Sequence, residues 1–280
     1  MPVLLALCSA VVYGVGDYLG GRSSRVQPSV VVAATGQVVS FVLVGVAVLV
    51  MGTPVPDAAT WGWSVLGGVV GALGIAGLYH GFAHGEVTVV APVSAVVGAA
   101  VPVLVGVVTG ERPGALAFAG IVIAVVAVAL VSGALGTHHH TTPRPIVVLA
   151  VLVGVCFGLL FVALDRADAD SGMWPLLIAR IASVPMLLVL AGVRGLRLVR
   201  DRPTLSIAVV AGVFDMGANV LYLAAVRGGM LSVVSVVASL YPASTVALAF
   251  AIDKERVGRW QAVGMALAVP ALVLVTLSRQ

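Results

Sequence analysis

The chain is 280 residues long, 61% hydrophobic and only 9% charged, with a mean hydropathy of +1.18. Soluble domains carry roughly 25% charged residues, so this composition excludes a water-soluble fold. The net charge of +4 comes without a basic stripe interleaved with aromatics, which excludes a nucleic-acid partner.

A spanning helix needs about 20 apolar residues, and ten such stretches follow one another along the chain. The first, 3–21, has no basic start and no small-residue cleavage site, so it reads as a retained helix rather than a signal peptide. It carries Cys8, Tyr13 and Asp17 ahead of a Gly20-Gly21 break. Asp17 is expected to cap or tie helices near that break, or to act in a gate with Tyr13 one turn earlier. The second stretch, 28–50, contains Gln37, another gate or cavity candidate. The third, 60–83, presents Gly67, Gly71, Gly74 and Gly77 on one face, as close helix packing requires. His80 and His84 end it. Their spacing can bind a metal, but no third ligand is near, so they read as an interfacial pair with a pH-sensitive gate as the alternative.

The fourth stretch, 87–108, contains Pro92 and Pro102. The fifth, 114–132, follows the turn Glu111-Arg112-Pro113-Gly114. A polar linker, 133–145, contains His138, His139 and His140 without a Cys or a clear acidic partner. The sixth stretch is 146–164, with the lone thiol of Cys156, a packing residue like Cys8. The seventh is 173–193 with Arg180, the eighth 204–226 with Asp215, Asn219 and Tyr222, the ninth 230–251 with Ser239, Tyr241 and Pro242, and the tenth 259–277. Proline frees a backbone carbonyl. Pro92, Pro102 and Pro242 are therefore expected to interrupt helices four and nine, which should line a path with Ser239 and Tyr241 near it.

The chain also repeats itself. Glu111-Arg112-Pro113-Gly114 with Gly120 returns 144 residues later as Glu255-Arg256-Val257-Gly258 with Gly264. Tyr13-Gly14 matches Phe157-Gly158 at the same offset, and Leu78-Tyr79 and Gly85 match Leu221-Tyr222 and Gly228 at 143. The repeats are 1–132 and 146–280. Five helices is an odd number, so the second half enters the membrane from the opposite side, and a site is expected near the midplane between the halves.

Polar groups inside apolar helices are informative because an Asp at the bilayer centre costs about 2.5–3.5 kcal/mol on insertion scales. Asp215 is the leading candidate. Asn219 and Tyr222 lie four and seven residues on, on the same helix face. It suits a proton-coupled cycle or a cation site. Arg180, too deep to reach the interface easily, would hold an anionic group or pair with Asp215. Glu111 and Glu255 read as structural: each is expected to cap the helix that follows it, binding its adjacent Arg or a backbone N–H. Nothing calls for a metal or another cofactor.

Ten helices in two halves, with Glu-Arg after the fourth helix of each, resemble the drug/metabolite transporter superfamily in its EamA-like branch. Leu240-Tyr241-Pro242 and the run Tyr13-Gly14-Val15-Gly16-Asp17-Tyr18-Leu19-Gly20-Gly21 before Ser24-Arg25 are similar to motifs of that branch. The resemblance implies small-molecule transport, usually export, by rocking around a central cavity. One departure is Gly98, where the first half lacks the proline that the second has at Pro242.

Lys and Arg in the inter-helix segments favour one side. Arg22, Arg25, Arg144, Arg194, Arg197, Arg200, Arg202, Lys254, Arg256 and Arg259 face Arg112, Arg166, Arg227 and Arg279. The positive-inside rule then places both termini outside a cell (inner) membrane, whereas the resemblance implies cytoplasmic termini.

Two other functions compete. An intramembrane aspartyl protease would use two membrane carboxylates sharing a proton. Gly14-Val15-Gly16-Asp17 fits part of that pattern, but in reversed order relative to Asp215 and without a Pro-Ala-Leu element. A lipid-linked carrier flippase is the other. The expected reading is an all-α secondary transporter exporting a small polar or amphipathic metabolite or drug. Its partners are that solute, membrane lipid and protons, and it acts as a monomer or homodimer.

Overall fold

A computed structural model describes residues 1–131, 142–197, 199, 201–253 and 258–277. The linker histidines, Lys254, Glu255 and Arg256 lie outside the described residues, so no contact is assigned to the second Glu-Arg pair.

The described residues form α1 (Pro2–Ser24), α2 (Ser29–Met51), α3 (Ala58–His84), α4 (Val87–Val108) and α5 (Ala115–Val131), then α6 (Arg144–Arg166), α7 (Trp174–Val193), α8 (Arg202–Arg227), α9 (Leu231–Ala238), α10 (Pro242–Asp253) and α11 (Arg259–Leu277). One short 3₁₀ turn, Ala169–Ser171, joins α6 to α7. α9 and α10 together make one crossing, so eleven helices make ten passes. Among the described residues, eight segments are long and apolar enough to span a bilayer, and α5 is a shorter apolar helix. Apolar side chains such as Leu49, Val50, Leu104 and Val193 cover the exterior. A water-soluble surface would not tolerate them; lipid does.

Helix packing carries the duplication. α1 lies on α8 as α3 lies on α6. α2 lies on α8 as α7 lies on α3. α1 meets α9 and α10 as α6 meets α4, while α2·α7 and α5·α11 pair across the halves. Exchanging each helix for its counterpart five passes later maps this set of contacts onto itself. With five passes per half, that exchange turns the helices over, as an inverted repeat requires.

Glycines set the closest approaches, and they too come in pairs. A Cβ on Gly68 of α3 would sit 2.2 Å from the Ala179 carbonyl of α7, and one on Gly212 of α8 would sit 2.7 Å from Gly36 of α2. The face formed by Gly67, Gly71, Gly74 and Gly77 receives Leu160, Phe157 and Val153 of α6, the packing expected of it. Two helix starts are also equivalent. Asp57 caps α3 by accepting from the Thr60 N–H, and Asp201 caps α8 by accepting from the Thr204 N–H. These hydrogen bonds hold the Asp57 carboxyl below its usual range.

Three expectations need correction. α1 runs through Gly20-Gly21 without a break. Those glycines instead admit the rings of Tyr79 and Phe82 from α3, which any Cβ would strike. α4 is likewise continuous through Pro92 and Pro102, so Pro92 ends nothing. Only the second-half counterpart is broken, at Ser239-Leu240-Tyr241, where i→i−3 bonds tighten the chain: Leu240 N to Val237 O and Tyr241 N to Ala238 O. Pro242 starts α10, where its missing N–H removes no helix bond. The third correction concerns Glu111. Its carboxylate does not cap α5. It accepts from the backbone N–H groups of Leu231 and Ser232, the positive end of α9.

Candidate functional site

A cavity with about 460 Å³ of empty space lies between the halves. α1 contributes Tyr13 and Asp17, α2 Gln37, and α3 Gly71 and Ile75. α6 contributes Phe157, Leu160 and Phe161, α7 Arg180, and α8 Asp215 and Asn219. Tyr241 closes the set from the break between α9 and α10. Asp215 stands thirteen residues into the 26-residue α8, so the cavity reaches the middle of the membrane.

Arg180 and Asp215 are brought together. The Arg180 Nη2 donates to Asp215 Oδ2 at 2.9 Å, with the two side chains only 4% and 16% exposed. Two more donors hold the carboxylate: Ser40 Oγ at 3.4 Å on Oδ2 and Asn219 Nδ2 at 3.3 Å on Oδ1. Asn219 Nδ2 also donates to the Asp215 carbonyl at 2.8 Å, one helical turn back. Asp215 is thus not a lone carboxylate; its charge is balanced by a guanidinium. A buried pair of this kind is tolerable in lipid only while both partners stay in place.

Gln37 sits beside this pair. Its Oε1 accepts from Ser183 Oγ at 2.7 Å. Ser40 and Ser183 went unnoticed in the sequence, yet a signal was there. Gln37 and Ser40 on α2 have the same spacing as Arg180 and Ser183 on α7, and each pair of positions is 143 residues apart. One helix of the seam carries an amide where its twin carries a guanidinium.

Asp17 also lines the cavity, only 6% exposed. It caps nothing, and its carboxylate has no hydrogen bond or ion pair among the described residues. It makes no hydrogen bond with Asp215 either, so the two carboxylates do not form the proton-sharing dyad of an aspartyl protease. Tyr241 reaches the wall from the helix break, and its hydroxyl is held by Ser94 Oγ of α4 at 2.8 Å. Its OH also donates to the Ala91 carbonyl at 3.3 Å, next to Pro92. Ser239 is buried beside the cavity residues without lining it.

Two expectations fall away from the cavity. Tyr222 shares the helix face of Asp215 only in part. It is fully buried behind Phe161, with ring centroids 4.2 Å apart, and its hydroxyl is bonded to Ser235 Oγ at 2.7 Å. Tyr13 also packs on Phe161, at 6.3 Å between centroids. His80 and His84 stack on each other at 4.1 Å on the exposed end of α3, toward the opposite face and off the cavity wall. Among the described residues, no cluster of His, Cys, Asp or Glu could hold a metal ion.

The comparisons agree with this architecture. A statistical model of the EamA-like transporter family matches residues 1–133 and 144–277. No curated protein is matched. A solved crystal structure superposes with a TM-score of 0.73 over 99% of this chain and 96% of the other, at 18% identity, which speaks for a shared fold alone. Because the family match takes in nearly all of both halves, this multi-pass membrane chain belongs to the EamA-like transporter family.

Proposed function

We propose that the chain is a secondary active transporter that exports a small polar or amphipathic solute by alternating access around the central cavity. The observation that carries this reading is the Arg180–Asp215 pair, held 2.9 Å apart at mid-membrane in a cavity built from both halves. Helices that pack as an inverted pair have two equivalent ways to rock, one open to each face. A neutral internal pair lets the empty carrier pass between them without exposing a bare charge to lipid.

Solute binding works against this pair. A solute that accepts from Arg180 or donates to Asp215 competes with the internal bond, and the geometry in which both are satisfied differs from the empty one. Protons enter at a carboxylate of the same cavity. With Asp215 already balanced by Arg180, Asp17 is the better proton site. The charge count places both termini outside the cell membrane.

Reconstitution into liposomes with a metabolite panel tests the reading. Efflux should need the protein, and a pH gradient should alter its rate. The double variant Arg180→Gln with Asp215→Asn, which removes both charges together, should abolish coupled efflux in a protein that still elutes as a folded species. Wild-type rates in that double variant would remove the pair from the mechanism. Cysteine labelling from either side of intact cells, with single cysteines placed near Arg25 and near Gly172, settles the orientation.

A further inference from the structure

The cavity's hydrogen-bonding atoms are not all used. Tyr13 Oη, Arg180 Nε and Asn219 Oδ1 are buried without a partner among the described residues, and all three residues line the same cavity. The Asp17 carboxylate, on the same wall, has no hydrogen bond or ion pair among the described residues. This is an unusual concentration, because buried polar atoms without partners cost about 1–3 kcal/mol each.

Charge narrows what could satisfy them. The ionisable side chains on the wall besides its tyrosines are Asp17, Arg180 and Asp215. Arg180 and Asp215 cancel, so when Asp17 is ionised the cavity carries one negative charge. An anion is repelled. A zwitterion brings no net charge and leaves the deficit in place. A monocation neutralises the cavity. The geometry of donors and acceptors agrees: Asp17 and Asn219 Oδ1 need donors, whereas Arg180 Nε needs an acceptor and the Tyr13 hydroxyl can supply a proton to one. Phe157, Leu160 and Phe161 on the same wall suit an apolar body.

We propose that the transported solute is an amphipathic monocationic amine, its ammonium on Asp17 and a neutral acceptor group, such as a hydroxyl or carbonyl, toward Arg180 Nε and Tyr13. The proposal rests on reading this cavity as the solute site, and it assigns Asp17, rather than Asp215, to recognition of charge.

Calorimetry on the purified protein in lipid nanodiscs tests it with three probes: 2-amino-1-phenylethanol, its uncharged analogue 1-phenyl-1,2-ethanediol, and zwitterionic phenylalanine. The amine should bind at least about tenfold tighter than either, a difference of ~1.4 kcal/mol. Asp17→Asn should bring the amine down to the level of the diol while the diol is unaffected. Equal binding of the diol or the zwitterion, no binding of the amine, or an undiminished preference in Asp17→Asn would overturn the assignment. The wild-type ranking stands as a test even where Asp17→Asn does not fold. Proteoliposome efflux of the same probes separates the two claims. Amine preference without movement of any probe leaves the site and removes transport; movement without amine preference does the reverse.

Discussion

The two repeats share a scaffold and differ in chemistry. The close glycine approaches, the Asp caps of α3 and α8 and the helix pairings all occur twice. The cavity wall does not repeat. Where α2 has Gln37, α7 has Arg180, 143 residues on; where α3 has Gly71, α8 has Asp215, 144 residues on like Gly68 and Gly212. Asp17 on α1 has Phe161, 144 residues on in α6, as its counterpart. The positions that set helix spacing stayed alike, while those that line the cavity diverged. Pseudo-symmetry therefore works here as a filter: residues that break it at the seam are the ones to assign to recognition.

Substitutions that remove or exchange this asymmetry should rank accordingly. The largest effect is expected from Arg180→Gln, which gives α7 the residue of α2. It strands Asp215 in the membrane, and breaking a buried pair costs about 3–5 kcal/mol. Thermal unfolding in detergent should drop steeply. Adding Asp215→Asn should restore most of that loss without restoring efflux, since a neutral amide pair no longer needs a counter-charge. A double variant as unstable as Arg180→Gln alone would show that the pair is not the cause.

Next in size are Gly68→Ala and Gly212→Ala. Each drives a methyl group into the backbone of the facing helix, α7 or α2, and overpacking of this kind costs about 1–3 kcal/mol. The two should lose similar amounts of stability. A large difference between them would mean that the halves are packed less alike than their geometry indicates.

Glu111→Gln should cost about 1–2 kcal/mol, because a charge is lost from the N–H groups that open α9. Ser94→Ala should cost about 1 kcal/mol through the Tyr241 hydroxyl, and it should change solute affinity more than stability. Calorimetry and unfolding on the same sample distinguish the two.

Asp57→Ala and Asp201→Ala are expected to have the smallest and most nearly equal effects. For Asp57 the sign of the pH dependence follows from its lowered pKa. The cap is fully effective at neutral pH and is lost as pH falls through the folded-state pKa, below the ordinary carboxylate value. The difference in melting temperature between wild type and Asp57→Ala should therefore shrink in acid.

Much of this was readable from the residues alone. The ten passes follow from apolar length and the duplication from the Glu-Arg turns, and the Arg180–Asp215 pair was one of two expectations for Arg180, the other being an anionic solute. The rest was not, for one physical reason. A helix that is apolar on every side carries no periodic signal to say which face turns inward. The sequence could place Asp215, Asn219 and Tyr222 on a common face, but not tell that Phe161 would screen the third from the cavity. Nor could it tell which of two proline-bearing passes would break. Pro92 and Pro102 sit inside an intact helix, and Pro242 sits at the start of one. Glu111 was misread because proximity in sequence suggested α5. Its partner lies 120 residues away. The D-x-x-T starts at Asp57 and Asp201, by contrast, were available all along, 144 residues apart.

The bond from Glu111 to the head of α9 has a mechanical consequence. α9 is only eight residues long, a rod of about 12 Å. One end is gripped at the membrane surface by a residue of the other repeat, and the other ends beside Tyr241, whose ring touches the cavity. A rod that short does not bend, so it couples the position of the turn after α4 to that of an aromatic ring on the cavity wall. The surface loop and the chamber are in that sense two handles of a single lever.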